Sequence, residues 1–397
     1  MKTVFQKVIL IGSCSSIIFL TACGGSDGDS IQVTKPNKTF TVDSEVQSVV
    51  NRHDVFTYTM PSVTNKNIST EALVFTPKGT APSTGWPVVV WAHGTTGAAD
   101  QCAPSRNALT GSEKALIMAL VKKGYAVIAP DYEGLGNDKE PHPYLHLKSA
   151  AQSVLFAVSE ANKYYDNLSK DWSVIGWSQG GHAALAAAEF HRALVGYNFK
   201  GTVAIAPASY LAETLNLGLD VANDYAANND LPKAVSVAAT LYTYAAIVSS
   251  GIKAEYNQFD YSQAFIPEKI NLAKQAESIC SPQLGQQFGI DIQATLATNP
   301  KFADYKALQS NFLSDAMILN YLQVNQPAQT PIDKKVVVFQ GTDDTTVPYP
   351  ITQKLVASMS PQTDVELKTK LGETHSSVVA NNIQELADTV DGLMKSN

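Results

Sequence analysis

The chain has 397 residues, of which 45% are hydrophobic and only 16% charged, so it holds ample material for a buried core and is not a disordered chain. Its 29 basic and 36 acidic residues give a net charge of −7, which excludes the electrostatic footprint of a nucleic-acid-binding protein. No run of about 18 or more apolar residues occurs, so we predict no membrane-spanning helix.

Residues 1–22 have the pattern of an export signal. Lys2 and Lys7 give it a basic start, and residues 8–20 form an apolar stretch too short to span a bilayer. The sequence Leu-Thr-Ala-Cys over residues 20–23 then opens a Gly/Ser/Asp-rich stretch, which resembles a bacterial lipoprotein signal. The resemblance implies cleavage before Cys23 and its lipidation. Because the next residue is not Asp, it also implies the outer membrane, at the periplasmic or cell-surface face. An ordinary signal peptide is the alternative.

Residues 23–45 are polar and predict a flexible tether, after which strand and helix patterns alternate. We predict strands at 55–60, 69–76, 88–92, 125–129, 172–176 and 202–206, and helices at 113–123, 150–164 and 181–194. The first two strands alternate in polarity, which indicates antiparallel pairing, whereas the others are short apolar runs typical of a parallel sheet buried on both faces. The order predicts an α/β fold with a mostly parallel sheet flanked by helices.

The alternation stops after the sixth strand and resumes about 120 residues later. Residues 209–330 show helical patterns without buried strands. Strands at 335–339 and 365–371 and helices at 351–358 and 377–395 complete the chain. A helical block inserted in such a sheet predicts a cap, or lid, over the carboxyl edge of the strands, where α/β sheets bind ligands. The predicted core therefore comprises residues 46–208 and 331–397, with the cap at 209–330.

Ser178 lies in a Gly-x-Ser-x-Gly motif, between a predicted strand and a predicted helix. The motif alone is weakly specific, but its strand–turn–helix setting is that of a nucleophile elbow. Small residues at Gly176 and Gly180 permit the sharp turn, and the N–H of Gln179 faces the place where an oxyanion would form. Ser178 is therefore the candidate nucleophile; a surface-loop serine is the alternative.

A serine nucleophile needs a general base, and after a nucleophile elbow the acid and then the histidine follow in the chain. Of the 7 histidines, only His375 follows the last predicted strands. The acid is expected after the strand at 335–339, where Asp343 and Asp344 are adjacent. We choose Asp344 to orient the imidazole and leave Asp343 as a turn residue. A structural role in capping a helix is the alternative for His375.

The loop after the strand at 88–92 has the sequence His-Gly-Thr-Thr-Gly over residues 93–97. Its position matches the loop that supplies a second oxyanion donor. We predict the N–H of Thr95 as that donor, with Gly94 allowing close backbone approach. We interpret His93 as structural, because it precedes the turn.

Asp131 and Tyr132 follow the next strand. We interpret this segment as a turn in which the Asp131 carboxylate accepts hydrogen bonds from backbone donors. Contact of Tyr132 with a substrate is the alternative.

Of the four cysteines, Cys14 falls within the predicted signal and Cys23 would carry lipid. Cys102 and Cys280 remain as an even pair in an exported chain, for which we favour a disulfide over two unrelated thiols. No Cys/His spacing typical of a metal site occurs, and no metal or cofactor is expected.

Several stretches together resemble the secretory lipase (lipase A-like) family. They are residues 85–97, 100–105, 130–136 and 176–181, with the Asp344/His375 pair. The resemblance spans about residues 50–395 and is vague through the cap. It implies an α/β-hydrolase fold with a helical lid inserted before the strand of the acid, and hydrolysis of carboxylic esters, often acylglycerols.

These residues predict a serine-dependent carboxylic ester hydrolase, either an esterase or a triacylglycerol lipase, acting through an acyl-enzyme on Ser178. We expect a monomer that binds an acylglycerol or short-chain ester, is anchored to a membrane through Cys23 and binds no nucleic acid. A polyester substrate stays open. The alternatives are a serine peptidase or amidase on the same fold, and a catalytically silent lipoprotein that binds a ligand or partner.

Overall fold

The computed structural model describes residues 37–136, 140–359 and 361–396. The predicted signal and Cys23 lie outside these residues. The strands are β1 Asn37–Thr39, β2 Val50–Pro61, β3 Asn67–Pro77, β4 Trp86–Ala92, β5 Ala126–Pro130, β6 Leu168–Trp177, β7 Asn198–Ile205, β8 Val336–Gly341 and β9 Val365–Lys370. The helices are α1 Ser44–Val49, α2 Gly111–Lys122, α3 Leu147–Tyr164, α4 Gln179–Phe190, α5 Leu211–Ala227, α6 Leu231–Glu255, α7 Ile270–Ala273, α8 Ser281–Thr298, α9 Ala316–Val324, α10 Tyr349–Met359, α11 Ser377–Ala380 and α12 Ile383–Lys395.

The strands form one mixed sheet in the order β1-β2-β3-β5-β4-β6-β7-β8-β9 within the described part of the chain. The first three strands pair antiparallel, and β3 pairs antiparallel with β5. From β5 to β9 every pair is parallel. The carboxyl ends of these parallel strands therefore meet at one edge, where the loops that follow them converge. The predicted α/β class with a mostly parallel sheet is confirmed.

The parallel strands are buried on both faces because helices cover each side. In β4, Val88 and Val90 pack in one apolar cluster while Val89 and Trp91 pack in the other. Val88, Val89 and Val90 are each 0% exposed. Successive side chains of a strand point to opposite faces, so a run of valines without alternation satisfies both clusters.

The segment between β7 and β8 contributes a third apolar cluster of its own, built from α5, α6, α8 and α9. Large side chains such as Phe265, Phe288 and Tyr321 are fully buried there. The cluster also includes Tyr144 and Leu145 of the loop before α3. The helices of residues 211–324 thus have their own core and also pack on a loop of the sheet region.

One helix among the described residues, α6, is long and apolar enough to cross a membrane by length and composition. The sequence shows no continuous apolar run of this length, because small and polar residues of α6 interrupt it. In the most apolar stretch of 18 residues in α6, 78% of the residues are buried inside the protein. That burial matches a core helix of the third cluster.

Two predicted boundaries are wrong. The predicted tether extended to residue 45, yet β1 pairs with β2, and the helix α1 begins at Ser44. Phe40, only 6% exposed, packs edge-on against Phe75 and draws this segment into the fold. The predicted helix at 377–395 is two helices, α11 and α12, separated at Asn381 and Asn382. Asparagine is a poor residue for a helix interior, because its side chain competes for backbone hydrogen bonds.

Candidate active site

Ser178 lies between β6 and α4 with φ 59° and ψ −114°. A non-glycine residue with positive φ is strained, and such strain is characteristic of a nucleophile elbow. Its N–H donates to the carbonyl of Ile205 (2.8 Å), and its own carbonyl accepts from Ala208 N (3.2 Å). The turn is therefore held by backbone bonds to β7 and to the loop after it, which keep the serine at the carboxyl edge of the sheet.

The elbow closes only because Gly176 and Gly180 have no side chain. A Cβ on Gly180 would lie 1.8 Å from the carbonyl oxygen of Ala92, and a Cβ on Gly176 would lie 2.0 Å from the carbonyl oxygen of Gly180. Both distances are far below van der Waals contact. The sequence prediction that only small residues fit at these two positions agrees with this packing.

His375 and Asp344 are directly paired. The Nδ1 of His375 lies 2.7 Å from Oδ2 of Asp344, whose side chain is 0% exposed. Because an ionised carboxylate only accepts hydrogen bonds, Nδ1 carries the proton and Nε2 is left as an acceptor. Nε2 is buried and has no hydrogen-bond partner among the described residues. The imidazole thus has the tautomer and the unpaired nitrogen that a general base needs.

The carboxylate of Asp344 is held by its own loop. Its Oδ1 accepts from the N–H groups of Thr346 and Val347, each at 2.8 Å, and its Oδ2 also accepts from the amide of Gln340 at 3.0 Å. Asp343 is exposed and its carboxylate accepts from the hydroxyl of Thr342 (3.0 Å). Of the two adjacent aspartates, Asp344, the one predicted from the sequence, therefore pairs with His375.

Trp177 connects the histidine loop to the elbow, which the sequence did not reveal. Its indole N–H donates to the backbone carbonyl of His375 (3.0 Å), and the two rings lie 5.2 Å apart. The same indole packs against Gly94, where a Cβ would lie 2.8 Å from it. The residue before Ser178 thus contacts both the histidine loop and the loop that follows β4.

Thr95 and Gln179, the predicted oxyanion donors, lie in that loop and at the first position of α4. The first N–H groups of a helix have no acceptor within it and are available to an anion. The side chains of both residues are fixed by hydrogen bonds. The Thr95 hydroxyl lies 2.7 Å from the hydroxyl of Tyr144, and Gln179 Nε2 lies 3.0 Å from Nε2 of His142.

An apolar cavity opens on Ser178. Its empty space is about 610 Å³, including the part open to solvent. It is lined by Tyr144, Leu145, Ser178, Ala208, Leu211, Thr214, Leu215, Leu241, Tyr244, Ala245, Val248, Phe312, Leu322, Thr346 and Val347. None of these described lining residues is charged. Most come from α5, α6 and α9, so the helices of residues 211–324 supply the walls while the sheet edge supplies the serine.

The other histidines near the site are buried, and their contacts stabilise the surrounding structure. Burial lowers the pKa of His93 to about 3 and that of His182 to about 4, so both are neutral. His93 Nδ1 lies 2.7 Å from the carbonyl of Gly94, and the ring stacks on Tyr132 at 4.2 Å. Tyr132 is 2% exposed and donates to the carbonyl of His93 (2.9 Å), so its contacts are structural.

The carboxylate of Asp131 is fully buried and accepts from both N–H and hydroxyl of Ser105, at 3.1 and 2.5 Å. Burial raises its pKa to about 7. The predicted role of Asp131 as an acceptor of turn hydrogen bonds agrees with these contacts. Among the described residues, no cluster of three or more acidic, histidine or cysteine side chains is arranged to hold a metal ion.

Cys102 and Cys280 form a disulfide with their Cα atoms 5.4 Å apart. Next to it, Gly97 forms an antiparallel bridge with Cys280, and the N–H of Ser281 donates to the carbonyl of Thr96 (2.8 Å). The start of α8 is therefore joined, covalently and by backbone hydrogen bonds, to the loop that holds Thr95.

Comparison with known proteins agrees with the resemblance seen in the sequence. Residues 101–212, which include Ser178, match the model of the secretory lipase family. The structure is similar to the rice cell wall degrading esterase LipA from Xanthomonas oryzae, with a TM-score of 0.67 at 18% identity over 91% of this chain and 98% of that one. Candida antarctica lipase A gives a TM-score of 0.61 at 16% identity, covering 88% of this chain and 85% of the lipase. These similarities confirm the α/β-hydrolase fold. A search of curated protein sequences found no match.

Proposed function

We propose that this chain, which is similar to the secretory lipases over residues 101–212, is a serine-dependent carboxylic ester hydrolase. The observation that carries the proposal is the Asp344–His375 pair, with its unpaired and buried Nε2, held by Trp177 beside the strained elbow of Ser178. A histidine paired with a carboxylate, together with a serine on a strained strand–turn–helix turn, provides the groups that acyl transfer requires.

In the proposed reaction, His375 Nε2 takes the proton of the Ser178 hydroxyl as its oxygen attacks the ester carbonyl. The backbone N–H groups of Gln179 and Thr95 stabilise the oxyanion. The C–O bond to the alcohol then breaks, and His375 returns the proton to the leaving oxygen. Water, deprotonated by the same nitrogen, then attacks the acyl-enzyme. The bond to Ser178 Oγ breaks, His375 returns the proton to that oxygen, and the acid is released. Asp344 keeps the imidazole in its reactive tautomer and stabilises the imidazolium.

The cavity favours esters of apolar acids over peptides. Its described lining carries no charge, and the side chains of Leu211, Leu215, Leu241 and Phe312 offer an apolar surface suited to an acyl chain. A peptide substrate would bury backbone donors and acceptors against these leucines without partners, at a cost of roughly 1–3 kcal/mol each. We therefore propose esterase or lipase activity on acylglycerols or short-chain esters, with polyesters as a further candidate.

A panel of p-nitrophenyl esters graded by acyl length, paired with aminoacyl p-nitroanilides, tests the proposal. The expected result is ester hydrolysis that Ser178→Ala abolishes, with little amide cleavage and an unchanged fold by circular dichroism. Amide cleavage at a comparable rate would favour the peptidase alternative. Ester hydrolysis that survives in Ser178→Ala would overturn the proposed nucleophile.

We also propose that the protein acts as an exported monomer anchored through lipidated Cys23. The support is the cysteine that ends the apolar stretch of residues 8–20 and opens a Gly/Ser/Asp-rich segment. Palmitate labelling of the wild type and of Cys23→Ser, followed by membrane fractionation and size-exclusion chromatography, tests this. Label in the wild type alone is expected; equal labelling of both would contradict the anchor.

A further inference from the structure

Both residues that the proposed function uses as oxyanion donors have their side chains bonded to the same short loop. It comprises residues 141–145 and precedes α3; we call it the 141–145 loop. From this loop, His142 lies 3.0 Å from the amide of Gln179, and the hydroxyl of Tyr144 lies 2.7 Å from the hydroxyl of Thr95. The loop follows β5, whereas the two donors follow β6 and β4. One segment therefore contacts both halves of the oxyanion site.

The tautomer of His142 fixes the direction of its bond to Gln179. Nδ1 lies 2.6 Å from the backbone carbonyl of Glu133, which can only accept, so Nδ1 carries the hydrogen. Nε2 is then an acceptor, and the Gln179 amide donates to it. Burial lowers the pKa of His142 to about 4, so the ring is neutral near pH 7. Gln179 Oε1 is buried with no partner among the described residues, so the bond to His142 is the one that orients the amide.

The loop itself is held from the cap side and from the core side. The hydroxyl of Tyr321 in α9 donates to the carbonyl of Tyr144 (2.8 Å). Gly251 of α6 packs so closely that a Cβ there would lie 2.8 Å from Tyr144 N. On the core side, the ring of His142 is parallel to that of Tyr132, with centroids 6.2 Å apart and an interplanar angle of 12°. Residues 142–145 of this loop are thus buried and are held by contacts on both sides.

We propose that His142 and Tyr144 are positioning residues that hold the N–H groups of Gln179 and Thr95 in place as the two halves of an oxyanion hole. The proposal rests on the proposed function. It adds that the 141–145 loop sets the distance between the two donors, through one side-chain bond on each side.

The physical reason is the sensitivity of oxyanion stabilisation to geometry. Donors act when they lie about 2.7–3.1 Å from the oxygen of the transition state, and loss of one costs roughly 10²–10³-fold in kcat. Side-chain bonds that stop each donor from shifting therefore act on the transition state more than on the bound ester. Their loss lowers kcat, with little effect on KM.

The test compares His142→Leu, which removes the acceptor, with His142→Gln, whose side-chain oxygen can accept near the same place. We expect His142→Leu to lower kcat on a p-nitrophenyl ester about tenfold with KM nearly unchanged, and His142→Gln to recover most of the loss. Gln179→Met keeps the shape of the side chain and removes its donor. Its effect should not add to that of His142→Leu, because both remove the same bond. Tyr144→Phe and Thr95→Val, made singly and together, form the equivalent double-mutant cycle for the bond between Tyr144 and Thr95.

His182→Leu is the matched control, because His182 is also fully buried and its Nε2 bonds to a carbonyl, that of Asn325 (2.8 Å). It should lower Tm by a similar amount while kcat stays within about twofold. Equal kcat losses in the two leucine variants, or additive effects of His142→Leu and Gln179→Met, would reduce His142 to a structural role and overturn the proposal.

Hydrogen exchange supplies a readout independent of activity. Peptides covering residues 93–97 and 178–182 should exchange faster in His142→Leu than in His182→Leu, and unchanged exchange would contradict the proposal. A wild type that fails to hydrolyse esters would refute the proposed function alone, whereas an active wild type with fully active His142→Leu and Gln179→Met would refute only the positioning by the 141–145 loop.

Discussion

The carboxyl edge of the sheet and the helices of residues 211–324 form one cavity, but the elbow of Ser178 is packed far more tightly than α8. At the sheet edge, a Cβ on Gly180 would lie 1.8 Å from a backbone oxygen, and the strained Ser178 is fixed by backbone bonds. In α8, a Cβ on Gly285 would meet its nearest atom at 3.6 Å, which is ordinary contact. The nucleophile is therefore placed on tightly packed backbone, whereas the walls of the cavity are mostly side chains of α5, α6 and α9. Reactivity and specificity should therefore respond to different mutations.

The largest expected effect concerns the acid at the sheet edge. Asp344→Asn should lower kcat on a short p-nitrophenyl ester by about 10³–10⁴-fold, because the amide favours the wrong imidazole tautomer. Asp343→Asn is the matched control at the neighbouring exposed position and should keep wild-type kcat. Steady-state kinetics of the two purified variants checks this. A larger loss in Asp343→Asn would reverse the assignment of the acid.

A pair of glycine substitutions tests the difference in tolerance directly. Gly180→Ala should inactivate the protein and destabilise it by about 3 kcal/mol or more, because the added methyl overlaps the backbone of Ala92. Gly285→Ala, in the second turn of α8, should stabilise it by roughly 0.5–1 kcal/mol, since alanine is the better helix former. Urea unfolding measures both. A tolerated Gly180→Ala would mean that the elbow is not rigid.

Filling the apolar cavity should change specificity and leave the chemistry intact. Leu215→Trp places a larger ring in the cavity, so the kcat/KM ratio of long-chain to short-chain esters should fall roughly tenfold while the short-chain rate persists. Leu219→Trp, one turn further along α5, lines a separate cavity and should keep the wild-type profile. An unchanged chain-length profile in Leu215→Trp would place the acyl chain elsewhere.

The smallest effect on activity concerns the buried carboxyl of Asp131, whose titration is expected to change stability instead. Because folding raises its pKa from 3.8 to about 7, the stability it contributes is complete below about pH 4 and is lost as the pH rises through 7. The wild type should therefore lose stability relative to Asp131→Asn between pH 5 and pH 8, by roughly 2–3 kcal/mol. Denaturant titrations of both proteins at the two pH values measure the difference, and a difference of the opposite sign would contradict the burial argument.

The sheet edge was also the part most readily predicted from the sequence. Continuous apolar runs such as 88–92 and the glycines around Ser178 follow from local rules, which hold for strands buried on both faces and for a tight elbow. The choice of Asp344 over its neighbour agreed with the pairing to His375, since both lie on loops at the same edge.

Contacts between distant segments were not predictable. Nothing local indicates that Trp177 donates to the loop of His375 or that His142 bonds to Gln179. The helices of the cap showed a helical pattern, but their bounds depend on a core assembled from segments far apart in the chain. Tertiary packing decides such features, and it cannot be read directly from a single sequence.

Labelling with a fluorophosphonate tests the central claim most directly, because the probe reacts with a serine only when the base and the oxyanion donors activate it. Mass spectrometry of the digested wild type should find one adduct, on Ser178, and Ser178→Ala should give none. Asp344→Asn should label far more slowly. An adduct on another serine, or none on the folded wild type, would contradict the account.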